Sequence, residues 1–516
     1  MESIRNIPTF LPENLLAKMA SYRDLENTPL LSIVAIGVAL FYLILLFFQR
    51  GKLQAPLIAG HLDQKEREKK FLGDAVTLLK EGYEKFKTGL TMYRITTTDG
   101  LETVVLSGKY AAELKALPDD YLSFSKAIEK AMAGRYCGIG DREVPIAVHV
   151  IKADLTPSLP RLAPVISEEI DLALERVMPA CDDWTPVAVY SAILDIVAQV
   201  SARVFVGAPL CRDPHWLQLS KDYTLKAFEA SRALKKWKPW VRPFVYRFLP
   251  ELRELYKVRA EAIKFMTPVS QERQATETKR DDFTEWLKQK SSPEFAKDYA
   301  DQAYVQVQLA MAAIHTTTMS STHMIYDLIE HPENIQPLRD EIQSAVAETG
   351  GYEKDTMAKM KKLDSFMKES QRYNPPGLTT FKRYCLRDIT LSDGTFLPKG
   401  TVIEIDSAQK YFDPQFFDEP DTFDALRFYN LRADGDKNSH QFATSNADYL
   451  HWGQGRHSCP GRFFASNEIK TILSKLLLSY DLQPVDKDAG RPKNFVFGTQ
   501  INPNPMAKVL FKRRKE

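Results

Sequence analysis

Cysteine is scarce, with five in 516 residues at positions 137, 181, 211, 385 and 459, an odd number and widely scattered. No pair has CxxC spacing, so the chain encodes neither a disulfide framework nor a clustered thiolate metal site, and a reducing compartment is implied. A charge excess of either sign is also missing. The 69 basic and 67 acidic residues leave a net charge of +2, which gives no electrostatic footprint for nucleic acid. No internal repeat or low-complexity tract is present, and no G-x-G-x-x-G loop offers a dinucleotide or flavin site within the chain. Long uncharged apolar runs are absent with one exception. Residues 30–48, LLSIVAIGVALFYLILLFF, hold 19 positions without a charge, and Arg50 and Lys52 follow at once.

That exception fixes a first expectation. About 20 apolar residues cross a bilayer core, and this run has no polar face of the kind a buried helix in a soluble domain shows. A cleaved signal peptide would have a shorter apolar region, nearer the start and followed by small residues. The sequence therefore predicts a retained transmembrane anchor over 30–48. A lumenal segment 1–29 precedes it; a linker, 49–60, and one large domain, 61–516, follow. The basic flank places that domain in the cytosol, with Lys18 and Arg23 pulling the other way.

The large domain reads as mainly helical with a small β portion. Residues 91–108 read as a hairpin about Asp99-Gly100. From about 115 to 375 the pattern is helical, with its longest run over 296–330, free of Gly and Pro until Pro332. After Pro375-Pro376 come short strand-like pieces (TTFKRYCL, ITLSDGTFLPKG, TVIEIDS) and a coil over 411–428. A final helix follows, with Ile469, Ile472, Leu473, Leu476, Leu477 and Tyr480 on one buried face. Residues 237–252, WKPWVRPFVYRFLPEL, mix aromatics with bases, a pattern suited either to a membrane surface or to a packed helix broken by proline.

The chemistry concentrates in HWGQGRHSCPGRFFA, 451–465. Pro460 suits the first position of a helix, which puts Cys459 at a helix N-terminus, where backbone N–H groups and the helix dipole favour a thiolate. Gly453, Gly455 and Gly461 clear side chains from around the sulfur, and Arg456, His457 and Arg462 offer donors to anions. Such a thiolate suits an axial ligand of haem iron, with the cations paired to propionates. Two other readings stay open from the residues alone: a buried structural cysteine on a turn, and a nucleophile with His457 as base, for which no orienting acid is evident.

Here the residues carry a resemblance. WGQGRHSCPG resembles the haem loop of the cytochrome P-450 superfamily, with Trp452 in place of the usual aromatic Phe and His457 where many members have Arg. Glu369-Ser370-Gln371-Arg372 resemble the E-x-x-R of that family. FDALRF, 423–428, stands at its F-x-P-x-R-F, with Arg427 as the third member of a Glu–Arg–Arg cluster and Ala425-Leu426 replacing Pro-Glu. AAIHTT, 312–317, resembles the oxygen-activation signature. Thr316 fills the threonine slot with Thr317 beside it, and His315 stands where the family has an acid. His315 is either a proton relay or a satisfied core histidine. His149 and Lys152, in HVIKADLTPSLP, resemble the stretch that contacts a haem propionate.

The resemblance implies the P-450 fold, haem b held by Cys459, and O2 as co-substrate. It implies electrons from NADPH delivered by the NADPH-dependent P-450 reductase at the endoplasmic reticulum membrane, where the chain would be a single-pass protein. The details AIHTTT, LTPSLP, RHSCPGRFFA and FTEWL resemble fungal members of ent-kaurene-oxidase-like and indole-diterpene type. They imply hydroxylation or stepwise oxidation of a hydrophobic secondary metabolite: a terpenoid, a meroterpenoid or an indole diterpene. The alternatives are a polyketide or alkaloid substrate, a haem-thiolate isomerase or dehydratase, and a non-catalytic haem-binding or membrane interaction protein. Members that rearrange substrates often lose the threonine that Thr316 supplies here.

Overall fold

The computed structural model of the chain describes residues 35–39, 53, 55–140, 145–276, 279–433 and 439–515. The chain divides into a unit of residues 1–54 and a compact unit of residues 55–516. Of the first, an exposed helical turn at 35–39 is described; the rest of the expected anchor, and all of 1–29, lies outside the described residues. Among the described residues no helix is long and apolar enough to cross a membrane. The linker expected over 49–60 ends sooner than predicted. The Arg94 N–H donates to the Pro56 carbonyl at 2.8 Å and the Ile58 N–H to the Arg94 carbonyl at 2.9 Å, with Ala55, Ile58 and Ala59 buried. Ala55-Pro56-Leu57-Ile58-Ala59 is too apolar to stay in water when a strand edge is at hand.

The large unit is mainly helical with a small β portion, as expected. Its principal helices are α1 (Gln64–Lys87), α2 (Pro145–Val150), α3 (Thr156–Val177), α4 (Val189–Phe205), α5 (Pro214–Lys235) and α6 (Pro250–Ala275). Beyond these lie α7 (Tyr299–Glu330), α8 (Ile335–Thr349), α9 (Lys361–Tyr373) and α10 (Arg462–Ser479). The strands are β1 (Met92–Thr96), β2 (Glu102–Leu106), β3 (Leu122–Ser123), β4 (Thr185–Ala188), β5 (Thr379–Cys385) and β6 (Ile389–Thr390). They continue with β7 (Phe396–Leu397), β8 (Val402–Asp406), β9 (Tyr480–Pro484), β10 (Phe495–Phe497), β11 (Gln500–Asn502) and β12 (Lys508–Arg513). The predicted hairpin is β1–β2. Its far strand pairs parallel with β8 in a sheet of order β1-β2-β8-β5-β3.

Helix α7 is the axle of the helical part. The Asp298 carboxylate caps it by accepting from the Asp301 N–H at 2.9 Å, and the absence of Gly and Pro lets it run 32 residues, about 48 Å, against α4, α5, α6 and α10. Helices α2 and α3 are joined by a single π turn, Ile151–Leu155. Pro157, Pro160 and Pro164 withdraw N–H donors just beyond it, and the Thr156 hydroxyl donates instead to the Ile151 carbonyl at 2.9 Å. The π turn carries Lys152.

The final helix departs from its predicted single buried face. α10 packs against α3, α7, α8 and α9, so Glu468, Lys470, Ser474 and Lys475 are buried as well, and Tyr480 falls in β9. The buried polar groups find partners: Lys470 with Asp364 at 2.8 Å and Lys475 with Asp171 at 2.6 Å. Glu468 is the least satisfied. Its Oε1 accepts from the Ser201 hydroxyl at 2.9 Å while Oε2 has no partner among the described residues, and burial pushes the carboxyl up to about 8. A carboxyl raised in the fold contributes stability that is complete below its unfolded value and is lost as pH rises toward 8. Glu468→Gln is therefore expected to match the parent near pH 5 and to exceed it by on the order of 2 kcal/mol at pH 8. The apparent Tm measured at both pH values checks this; equal differences at the two would count against it.

Between α5 and α6 the chain breaks into the short helices Arg242–Val245 and Tyr246–Phe248. A packed helix would bury its aromatics, yet Trp240, Phe244 and Phe248 are 71%, 71% and 73% exposed. Arg242 turns inward instead, its Nε donating to the Trp237 carbonyl at 3.0 Å.

Candidate active site

Cys459 sits in a turn closed by its own N–H, which donates to the Trp452 carbonyl at 2.6 Å. Gly453 and Gly455 occupy the left-handed region, φ +70° and +74°, and so shape this loop. The helix begins later than predicted, at Arg462 with Gly461 as its cap, because Pro460 and Gly461 form a turn rather than the first helical residues. The thiol still gains from that geometry. Burial pushes Cys459 up, while the amides of Gly461 and Arg462 and the Arg462 charge pull against it. Burial prevails, so the free group is a thiol and not the low-pKa thiolate that a nucleophilic cysteine needs. A coordinated metal would deprotonate it outright. A Cβ added at Gly461 would meet nothing within 4 Å, which marks open space beside the sulfur turn. Trp452 is fixed as the neighbouring aromatic: its Nε1 donates to the Phe442 carbonyl at 2.8 Å and its ring meets Phe442 edge-on at 5.5 Å.

Beside this turn a small cleft is lined by Asp119, Leu122, Arg383, Gln454, Arg456 and His457. His457 has an acid after all: its Nε2 lies 2.7 Å from Asp119 Oδ1, a hydrogen bond that holds the Asp119 carboxyl below its ordinary range. The imidazole thus faces Asp119, and a triad at Cys459 is not assembled. Lys152 reaches across from the π turn, its Nζ donating to the Arg456 carbonyl at 3.2 Å. His149 is exposed on α2 with no hydrogen bond among the described residues. Sequence reasoning missed Arg383. It is buried, and one Nη1 donates to the Lys382 carbonyl at 2.8 Å, with no carboxylate in ion-pair range among the described residues. Burial lowers it to about 10, still fully cationic near neutrality. A buried guanidinium with donors to spare fits an anionic group such as a propionate. Arg383 lies two positions after Phe381 on the inward side of β5, where Phe381, Arg383 and Cys385 alternate as buried residues. A bulge at Phe381, φ +53°, sets that alternation.

Glu369, Arg372 and Arg427 do come together. Arg372 binds Glu369 in a fork, Nε to Oε2 and Nη2 to Oε1, both at 2.8 Å, and Arg427 Nε reaches Oε1 at 3.3 Å. Glu369 and Arg372 are fully buried.

On α7 the predicted trio separates. In the middle of the helix, Gln308, Met311, Ala312, Ala313, His315, Thr316, Met319 and Ser320 are incompletely buried between buried residues, and Ala312 and Thr316 are the most open of them. The Thr316 hydroxyl donates back to the Ala312 carbonyl at 2.7 Å. Thr317 is buried. His315 Nε2 lies 3.3 Å from the Lys221 carbonyl of α5, so this nitrogen carries the proton, and burial lowers the ring's pKa.

A family model described as Cytochrome P450 matches residues 149–510. The chain is 39% identical over 456 residues to cytochrome P450 monooxygenase AN1598 of Emericella nidulans, covering 86% of this chain and 84% of that protein. It is 37% identical to cytochrome P450 monooxygenase paxP of Penicillium paxilli, covering 86% and 87%. Among solved structures, retinoic acid-bound cyanobacterial CYP120A1 superposes with a TM-score of 0.66 at 16% identity, covering 87% of this chain and 96% of that one, a likeness of fold.

Proposed function

Because the chain belongs to the cytochrome P450 family, whose members are haem b monooxygenases supplied with NADPH-derived electrons by a reductase, we propose that its haem lies between the Cys459 turn and the open middle of α7. Cys459 would be the axial ligand. Arg383, His457 and Lys152 would hold the propionates, Trp452 would shield the sulfur, and Arg456 and Gly461 would complete the loop. The haem supplies O2 binding and activation; the chain supplies position and protons. Thr316 carries the proton step: its Oγ1, on the most open part of α7, exchanges its bond to the Ala312 carbonyl for one to the chamber. Thr317 and His315 stand behind it, His315 fixing α5 through the Lys221 carbonyl. The single observation carrying this reading is an exposed threonine, its hydroxyl bonded back to the Ala312 carbonyl, midway along the longest helix of the domain.

The substrate class follows from the resemblance to fungal secondary-metabolite members: a terpenoid, meroterpenoid or indole diterpene, hydroxylated or oxidised stepwise. The apolar run 30–48 supports a single-pass anchor in the endoplasmic reticulum, with residues 61–516 catalytic and cytosolic. The outward Trp240, Phe244 and Phe248 support a second contact with the same membrane. The metabolite that accumulates when the gene is deleted identifies the substrate. With that substrate and reductase-containing membranes, Thr316→Ala is expected to go on consuming NADPH and O2 while product per NADPH falls by about 10²-fold, the difference appearing as peroxide. Undiminished product per NADPH would overturn the assignment of Thr316.

A further inference from the structure

Gln308 lies two turns before Thr316 in the open middle of α7, about 12 Å along the axis and within about 80° around it. Its carboxamide orientation is fixed by what it touches. Nε2 donates to the Gly138 carbonyl at 2.6 Å, and a carbonyl can only accept, so the amide nitrogen must point there. The same nitrogen donates to the Tyr223 hydroxyl of α5 at 2.7 Å, and the Tyr304 hydroxyl donates to the same Gly138 carbonyl at 3.2 Å. Gly138 is itself held in a left-handed turn, φ +69°, where a Cβ would lie 2.8 Å from an Arg259 Nη. Both donor positions of the amide are therefore committed to rigid protein partners. Its Oε1 accepts from no group among the described residues, and Gln308 is only half-buried, in the stretch that Ala312 and Thr316 leave open.

We infer that Gln308 Oε1 is an anchor for substrate. It accepts a hydrogen bond from an O–H or N–H donor on a hydrophobic molecule whose oxidised carbon lies about 12 Å away, level with Thr316. The fixed amide makes the anchor selective for donors: an ether or ketone oxygen at the same place would face a lone pair. Gln308 is thus a positioning residue that sets which carbon is presented. The inference rests on haem binding at Cys459, and its test keeps the two apart.

Holoprotein is titrated with 1-(ω-hydroxyalkyl)imidazoles of increasing chain length and with their methyl ethers, whose terminal oxygen cannot donate. The imidazole-induced Soret shift gives each affinity. The expected result is a ratio of alcohol to ether affinity that is near one for short chains and rises about five- to tenfold at a chain length whose extended reach is about 12 Å. In Gln308→Leu that maximum is expected to vanish. A ratio flat with chain length in the parent overturns the inference without any variant, and a maximum surviving in Gln308→Leu overturns it equally. If no imidazole of either series shifts the Soret band, the haem reading fails, and the inference with it.

Discussion

Cys459→Ser is expected to fold and yet lose the red-shifted Soret band of the reduced carbon-monoxide complex that marks thiolate-ligated haem, together with all reductase-driven oxidation. The turn should survive the change. Its closure depends on the Cys459 N–H to the Trp452 carbonyl and on glycines at φ +70° and +74°, none of which involves the sulfur. A serine hydroxyl is about the size of the thiol, so the space beside Gly461 is kept. What changes is ionisation. Burial already pushes the thiol up, and the two amides and Arg462 moderate that; a coordinated iron can still deprotonate a thiol, while an alcohol starts many units higher and is a harder ligand. Neither a nucleophilic nor a purely structural cysteine predicts this spectral change. A red-shifted band that persists in Cys459→Ser would end the ligand assignment.

Legibility in the sequence differs from element to element for physical reasons. The hairpin β1–β2 and the axle α7 were readable because their signals are local: a turn dipeptide between strand formers, and a long run without helix breakers. The Glu–Arg–Arg cluster was readable only through family resemblance, since a Glu and Arg three apart on a helix are common on any surface. Its burial comes from 409–427 folding over α9. Arg383 was missed because its burial depends on a bulge that no local signal marks, and Gln308 because a glutamine in a helix is unremarkable until Gly138, from 170 residues earlier in the chain, arrives beneath it. The single buried face expected of α10 failed because amphipathic periodicity assumes one partner, and helices pack against α10 on several sides. Tertiary enclosure, which converts ordinary polar residues into committed ones, is the information that periodicity does not hold.

Glu369→Ala is expected to be the most damaging single change to the fold, destabilising it by about 3–5 kcal/mol and releasing haem. Removing the carboxylate leaves Arg372 buried without a counter-charge, held by the carbonyls of Tyr411 at 2.8 Å, Pro420 at 2.7 Å and Thr422 at 3.2 Å and by the rings of Tyr373, Phe412 and Phe417. The loss then travels toward the sulfur through direct contacts. Tyr411, whose carbonyl Arg372 holds, accepts the Leu450 N–H on its hydroxyl at 3.0 Å. The Leu450 carbonyl in turn accepts from the Gly453 N–H at 2.9 Å and from the Thr380 hydroxyl at 2.9 Å, which sets the start of the Cys459 loop. Arg427→Ala should cost less, because Arg427 meets Glu369 through one longer contact at 3.3 Å and its loss leaves the carboxylate paired with the Arg372 fork at 2.8 Å. Because the penalty comes from an unpaired buried charge and not from the pair's own worth, removing both charges should recover part of it. Glu369→Gln combined with Arg372→Met should retain more haem than Glu369→Ala, measured as the ratio of Soret to protein absorbance after purification, and should have a higher apparent Tm. If the double variant is as depleted of haem as the single one, the cluster acts through its charges on the loop, and an unpaired buried cation is not the cause of the loss.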